Sequence, residues 1–269
     1  MSLIDLYQLF KIELIANVGK LEYQAFFDEM YKLSLQGMNF GGGAAVQDSG
    51  ELYALKYIRD KLQYVGNHLT VFDVGANVGE FTLFVLQTLG NIRLLSFEPS
   101  YETFKQLENN TVGYKNIELY NIGFGEKNTT LTLYSNQTGS GLASLYKRRL
   151  DHFGIDMNNK EEVTIKTIDD FCKERGIEKI HFLKLDVEGH ELRVLQGAKE
   201  MINANAIDFI QFEFGGCNID SRTYFQDFYY YLNDNYRIYR IVKDGLYPID
   251  RYDERYEIFI TTNYLAERR

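Results

Sequence analysis

The sequence predicts an α/β fold built on a mostly parallel sheet. Three observations carry that expectation. Five short apolar runs recur between residues 69 and 216. Stretches of helical periodicity separate most of them. Two further strand-like runs follow closely spaced near the end of the chain, as an antiparallel pair at a sheet edge would.

Residues 1 to about 36 place apolar side chains at helical spacing, with Leu3, Leu6 and Phe10 as one set and Phe26, Met30 and Leu33 as another. This predicts two helices broken near Gly19. A glycine-rich loop, GMNFGGGAAVQDSG, spans 37–50. A helix is expected at about 51–64, with Asp48 and Glu51 in a capping arrangement. The strand runs are LTVFDVG (69–75), NIRLLSFEP (91–99), NIELYNIG (116–123), IHFLKLDVEG (180–189) and IDFIQFEFGG (207–216). Helical spacing appears at 78–89, 100–109, 168–176 and 190–203. The segment 124–167 breaks the alternation: LTLYS (131–135) and EEVTIKT (161–167) read as extra strands around a long polar loop. Such a loop in a compact domain is usually functional or mobile. A helix at 222–233 precedes the final runs, YRIYRIVK (236–243) and YEIFITTN (256–263). The simplest division is a helical extension and cofactor lid over 1–66, with one α/β domain over 67–269.

The 269 residues are 45% hydrophobic and 25% charged, ordinary globular values that exclude a disordered or fibrous chain. No run has the roughly 18–20 apolar residues of a membrane span. The N-terminus lacks the pattern of a secretory signal, so a cytoplasmic protein is expected. The net charge of −9 argues against nucleic acid as a partner, because that affinity comes from cations displacing counterions. The cysteines, Cys172 and Cys217, form neither a disulfide framework nor a zinc motif, and no metal is expected. Trp is absent, while Tyr 21 and Phe 19 supply the rings for the core and any substrate groove.

The strongest motif is VFDVGANVGEFT (71–82), where a buried strand meets a helix. Gly75 and Gly79 allow a tight turn and close ligand approach, and the helix start offers unpaired N–H groups. The spacing is G-x-x-x-G rather than the dinucleotide G-x-G-x-x-G. Asp73 would repel a pyrophosphate and suits a ligand with a cationic amine. Glu98 ends the second strand, where a carboxylate accepts both ribose hydroxyls. Asn121 and Gly123 end the third and can edge an adenine. Adenosine with an amino-acid tail fits all of these, which describes S-adenosylmethionine. Each feature also has a plainer reading: a simple strand–helix turn, a surface acid before a proline, an ordinary loop.

FDVGANVGEFT, SFEPS, NIGFGE and LKLDVEGHE, in this order, resemble the FkbM-type S-adenosylmethionine-dependent methyltransferases over roughly 69–215. The resemblance implies a class I methyltransferase (Rossmann-like) fold, a seven-stranded mixed sheet with helices on both faces. It implies O-methylation of sugars, glycolipids or polyketides, with polysaccharide or glycolipid biosynthesis as the setting. It places Asp73, Gly75, Ala76, Asn77, Gly79 and Thr82 at the cofactor's methionine end, Glu98 and Ser100 at the ribose, and Asn121 and Gly123 at the adenine. From their glycines, the GMNFGGG loop and Ser49, Gly50 and Glu51 are expected to fold over the cofactor as a lid.

Methyl transfer asks the protein to align an acceptor oxygen and remove its proton. The carboxyl ends of the fourth and fifth strands supply Asp186, Glu188, His190 and Glu213 as candidate bases. Asp186 should sit closest to the methyl group. A helix dipole should keep His190 neutral. Glu191 reads as a partner of that dipole. Asp186 with Glu213 offers a second route, a Mg²⁺-assisted reaction. Lys147, Arg148 and Arg149 read as a solvated face, or as contacts to a phosphate or acidic sugar. Asp220 or Ser221 should cap the following helix, leaving Asn218 and Arg222 as acceptor contacts. The competing class is a nicotinamide-dependent sugar oxidoreductase or epimerase, which fits Glu98 but not the glycine spacing.

Overall fold

The computed structural model describes residues 2–42, 49–63 and 69–269. Two helices, α1 (Leu3–Ala16) and α2 (Gln24–Gly37), form the N-terminal extension and are split by a 3-10 turn at Leu21–Tyr23. Helix α3 (Glu51–Leu62) follows. Its expected cap, Asp48, lies outside the described residues, as do 43–47 and 64–68.

The alternating part runs β1 (Leu69–Val74), α4 (Glu80–Leu89), β2 (Ile92–Phe97), α5 (Tyr101–Asn110) and β3 (Ile117–Tyr120). Then come β4 (Gly123–Phe124), β5 (Thr129–Ser135), β6 (Asn159–Lys166), α6 (Ile168–Arg175) and β7 (Ile180–Leu185). Short helices α7 (Glu191–Gln196) and α8 (Lys199–Asn203) lead to β8 (Ile207–Phe214). The chain finishes with α9 (Cys217–Ser221), α10 (Phe225–Leu232), β9 (Tyr236–Val242), β10 (Gly245–Ile249) and β11 (Thr262–Arg268).

The main sheet has the order β10-β9-β11-β8-β7-β1-β2-β3. Its five strands from β8 to β3 are parallel, and β11 is antiparallel to both β8 and β9. Among the described residues this sheet has eight strands, not the seven expected. The extra one is β10, which hairpins onto β9 and carries Pro248. Proline gives no ladder N–H, so an edge is where such a strand belongs. The last strand also sits later than expected, at Thr262–Arg268 rather than 256–263, because residues 256–261 turn through a 3-10 end and irregular backbone. The two extra runs in 124–167 do pair: β5 and β6 are antiparallel neighbours in a separate three-stranded sheet, with β4 parallel to β6.

Side chains alternate across the sheet with period two. Phe72, Leu183 and Ile210 face α6, α7 and α10 through Phe171, Leu195 and Phe228. Val71, Phe182 and Phe209 face α3 and α4 through Leu55, Ile58 and Val85. Helix α3 is therefore part of the core rather than a cover: Gly50 approaches β9 so closely that a Cβ there would lie 2.3 Å from the Val242 carbonyl. No described helix is long and apolar enough to cross a membrane.

Candidate active site

The carboxyl ends of β1, β2 and β7 open on a cleft. Gly75, Asn77, Glu98, Gly123, Asp186 and Glu188 all line it. The sequence named each of these six, and the fold brings them together. Pro99, Phe124, Leu133 and Ile165 add apolar wall.

Backbone geometry explains the glycines. Gly75 has φ +83, and a Cβ there would sit 1.8 Å from the Asp186 carbonyl oxygen. The turn after β1 thus abuts the turn after β7, with no room for a side chain between them. Asn77 (φ 48) and Glu188 (φ 50) hold left-handed conformations although neither is glycine. Such strain costs on the order of 1–3 kcal/mol per residue and clusters at functional sites.

Glu98 is buried and accepts from the amides of Asn77 (3.1 Å) and Ser100 (2.9 Å). Burial pushes its carboxyl up to about 7, and those two amides partly oppose the shift. Asn121 braces this corner from behind, donating to the carbonyls of Glu98 and Pro99 at 2.9 Å each. Ser100 stands at the N-cap position of α5, without a side-chain capping bond, and does not line the cleft. Ala76 packs into a small cluster with Phe104 and Leu107, and a Cβ on Gly79 would meet Leu107 at 2.7 Å. Asn121, Ser100, Ala76 and Gly79 therefore shape the walls from outside the cleft.

Asp73 and Thr82 lie deeper than expected. Thr82 Oγ1 donates to Asp73 Oδ2 at 2.6 Å and sits 3.1 Å from Ser96 Oγ. Both side chains are fully buried behind the glycine turn and do not line the cleft. They belong to a polar row that runs across the sheet. Ser96, Asp73, Lys184 and Gln211 are successive register partners on β2, β1, β7 and β8. Lys184 is the residue the sequence reading missed. Its Nζ donates to Asp186 Oδ2 at 2.8 Å and lies 4.2 Å from the Phe81 ring centroid. Burial disfavours its charge, but Asp186, Asp73 and Glu51 outweigh that and raise it above the ordinary lysine range. Glu51 completes the row instead of covering the cofactor. It accepts from Gln211 Nε2 at 2.6 Å and from Ser49 Oγ at 3.0 Å, and burial raises its carboxyl. The signal was present: VFDV, LLSF, FLKL and FIQF each carry one polar residue inside an apolar strand.

The candidate bases separate. Asp186 lines the cleft as an ion-paired carboxylate. Glu188 also lines it and accepts from Arg148 Nη1. Burial and the neighbouring Asp186 push Glu188 up to about 8, against the pull of Arg148. Arg148 is therefore no solvated cation; its side chain is only 9% exposed. Glu213 sits beside Glu188 and outside the lining, and burial together with Asp186, Glu188 and Glu191 raises it well above the carboxylate range. His190 does not reach the cleft. Its Nδ1 is 3.0 Å from Tyr146 Oη, and its Nε2 packs where a Cβ on Gly125 would be, 2.9 Å away. It is held neutral, down to about 4, by burial and then by Arg193. Glu191 faces inward and accepts from the amides of Val187 and Gly189, fixing the turn that carries Glu188.

The loop 140–146 closes the site. Ser144 exchanges backbone bonds with Tyr134 and donates Oγ–H to the Glu188 carbonyl at 2.7 Å. This ties down a segment the sequence marked as functional or mobile. Glu188, Glu213 and Cys217 bring ligand atoms within 4.8 Å of one another. That trio excludes Asp186, so it is not the Asp186–Glu213 pair expected for Mg²⁺, and the Arg148 cation already sits on Glu188.

A parallel sheet ordered β3-β2-β1-β7-β8 with the antiparallel β11 inserted between β8 and β9, and a glycine turn facing an acid at the end of the second strand, defines the class I methyltransferase fold. The chain belongs to the FkbM methyltransferase family, whose domain (Methyltransferase FkbM domain) matches residues 73–240, and its cofactor is S-adenosylmethionine. It is 27% identical over 148 residues to Methyltransferase 1 of Beauveria bassiana, covering 47% of this chain and 57% of that relative. It is 24% identical over 151 residues to the 2-O-methyltransferase NoeI of Sinorhizobium fredii, covering 53% and 62%. It is 30% identical over 145 residues to the hexuronic acid methyltransferase AglP of Haloferax volcanii, covering 52% and 53%. The matched stretch is thus little more than half of each relative's length.

The cleft fits this cofactor. Asn77 Oδ1 is buried there without a protein partner, Gly123 and Gly141 put no Cβ on the wall, and Glu98 offers a carboxylate to a diol.

Proposed function

We propose that this chain is an O-methyltransferase acting on a hydroxyl of a sugar or glycan, with Glu188 as the general base. One observation carries the assignment of the base. Glu188 is the carboxyl that both lines the cofactor cleft and is raised to about 8. A base works best when its pKa lies near the operating pH. Asp186 is ion-paired to the buried Lys184 and serves as a fixed charge at the cleft floor.

S-adenosylmethionine, when bound, supplies a methyl carbon already activated by its sulfonium. Glu98 and Asn77 hold the nucleoside end. Lys184 fixes Asp186 at the floor. Glu188 takes the hydroxyl proton onto its carboxylate, and Glu213 beside it is the next group that can share that proton. Arg148 holds the Glu188 carboxylate in place. A sugar acceptor is supported by the names of two relatives, one a 2-O-methyltransferase and one acting on hexuronic acid. The setting this supports is glycan biosynthesis.

The test is a methyl-transfer screen on sugars with the native chain and Glu188→Gln. The expected result is a kcat loss of roughly 10²–10⁴-fold with S-adenosylmethionine affinity retained. The native rate should climb with pH up to about 8, as Glu188 loses its proton. A Glu188→Gln rate near native, or a flat profile in the native chain, would overturn this assignment.

A further inference from the structure

A second and larger depression lies on the far side of Arg148 from the cofactor cleft. Arg148 joins the two. It lines the second cleft and donates to Glu188, which lines the first. Its Nε is buried without a partner, and its Nη2 faces the space left by Gly216, 4.0 Å from where a Cβ would be. The proposed function does not use this second cleft.

Its wall inverts the charge of the molecule. The chain carries −9 overall, yet here Arg148, Arg149 and Arg222 face two acids, Asp151 and Asp220. Asp220 is already engaged by the Arg149 amide at 3.4 Å. The guanidinium groups of Arg149 and Arg222 have no ion pair among the described residues, and Arg222 is set in a left-handed conformation at the end of α9. Apolar surface gathers at the same mouth: Phe153 is 70% exposed, and Phe259 is held against Phe214 at 5.3 Å. Planar guanidinium forks match carboxylate and phosphate oxygens, and a ring face suits the apolar face of a pyranose.

We infer that the second cleft is the acceptor subsite and that the acceptor is an anionic saccharide, its carboxylate or phosphate gripped by Arg149 and Arg222 while a neighbouring hydroxyl reaches Glu188. This rests on the methyltransferase reading above and names the substrate class for it.

Calorimetry on the full chain tests it. S-adenosylhomocysteine is titrated first, then glucuronate, glucose 6-phosphate and neutral methyl glucoside into the saturated protein. At least one anion should bind roughly tenfold or more tighter than methyl glucoside, and which anion wins separates a carboxylate acceptor from a phosphate one. Arg149→Gln and Arg222→Glu should each erase most of that preference, read as the ratio of anion to methyl glucoside affinity. Both side chains are exposed, so the variants should fold. Equal binding of the three sugars, no anion binding, or an unchanged preference in Arg222→Glu overturns this inference alone. Failure of S-adenosylhomocysteine to bind overturns the underlying reading and this one with it.

Discussion

Replacing Lys184 by Met removes the charge from the middle of the buried polar row while keeping an unbranched side chain of similar length. In the native chain one ammonium faces Asp73, Glu51 and Asp186. Without it, Asp73 must either stay ionised with no counter-charge or take up a proton. Burial already raises the Asp73 carboxyl, and losing Lys184 raises it further, so the variant takes up the proton. The expected loss is the roughly 3–5 kcal/mol found when one partner of a buried ion pair is removed. Asp73 is fully buried, so solvent screening does not soften the figure. The sign with pH follows from linkage. The folded variant holds a proton that its unfolded chain releases at about pH 3.9, so its stability falls as pH rises above that value. The deficit against the native chain should shrink steadily from about pH 7 to about pH 5. Urea denaturation of both proteins at the two pH values reads this directly. A deficit below about 1 kcal/mol at neutral pH, or one identical at both, refutes the claim that Lys184 neutralises the row.

Gly75→Ala should destabilise the fold by at least about 2 kcal/mol and abolish cofactor binding, since left-handed strain adds to a backbone clash with Asp186; a thermal melt and a cofactor titration check both. Glu98→Gln sets an amide N–H₂ against a backbone N–H and should cost about 2 kcal/mol of cofactor binding, roughly thirtyfold in Kd. Native Glu98 keeps its proton up to about 7, above the unfolded value, so its share of stability is full at low pH and is lost as pH rises through about 7. Stability curves across that range should lose this component in Glu98→Gln.

Much of the fold was legible because strand and helix periodicities differ and because β1, β2, β7 and β8 are buried on both faces. The cleft was legible where chemistry sits in a turn: Gly75, Asn77, Glu98, Asp186 and Glu188 are all at strand ends. Depth was not. Asp73 and Thr82 occupy motif positions but point behind the turn, because strand pleat sends Asp73 to the α4 side. Arg148 lay in a run of three cations that reads as solvated, and only the tertiary approach of the 186–189 turn buries it. Residues 258–260 read as strand from their apolar character, yet Phe259 and Ile260 line the second cleft. Pro248 concealed β10, since a proline inside a run argues against a strand unless that strand lies at an edge.

The threading of the sheet has a consequence for how the protein is made. Strand β11 is inserted between β8 and β9, although both are synthesised before it. Until residues 262–268 leave the ribosome, two inner strands expose raw hydrogen-bonding edges, the state most open to pairing with other nascent chains. Slow elongation over 250–262 would lengthen that exposed interval, so yield in cells should depend on how quickly this stretch is translated.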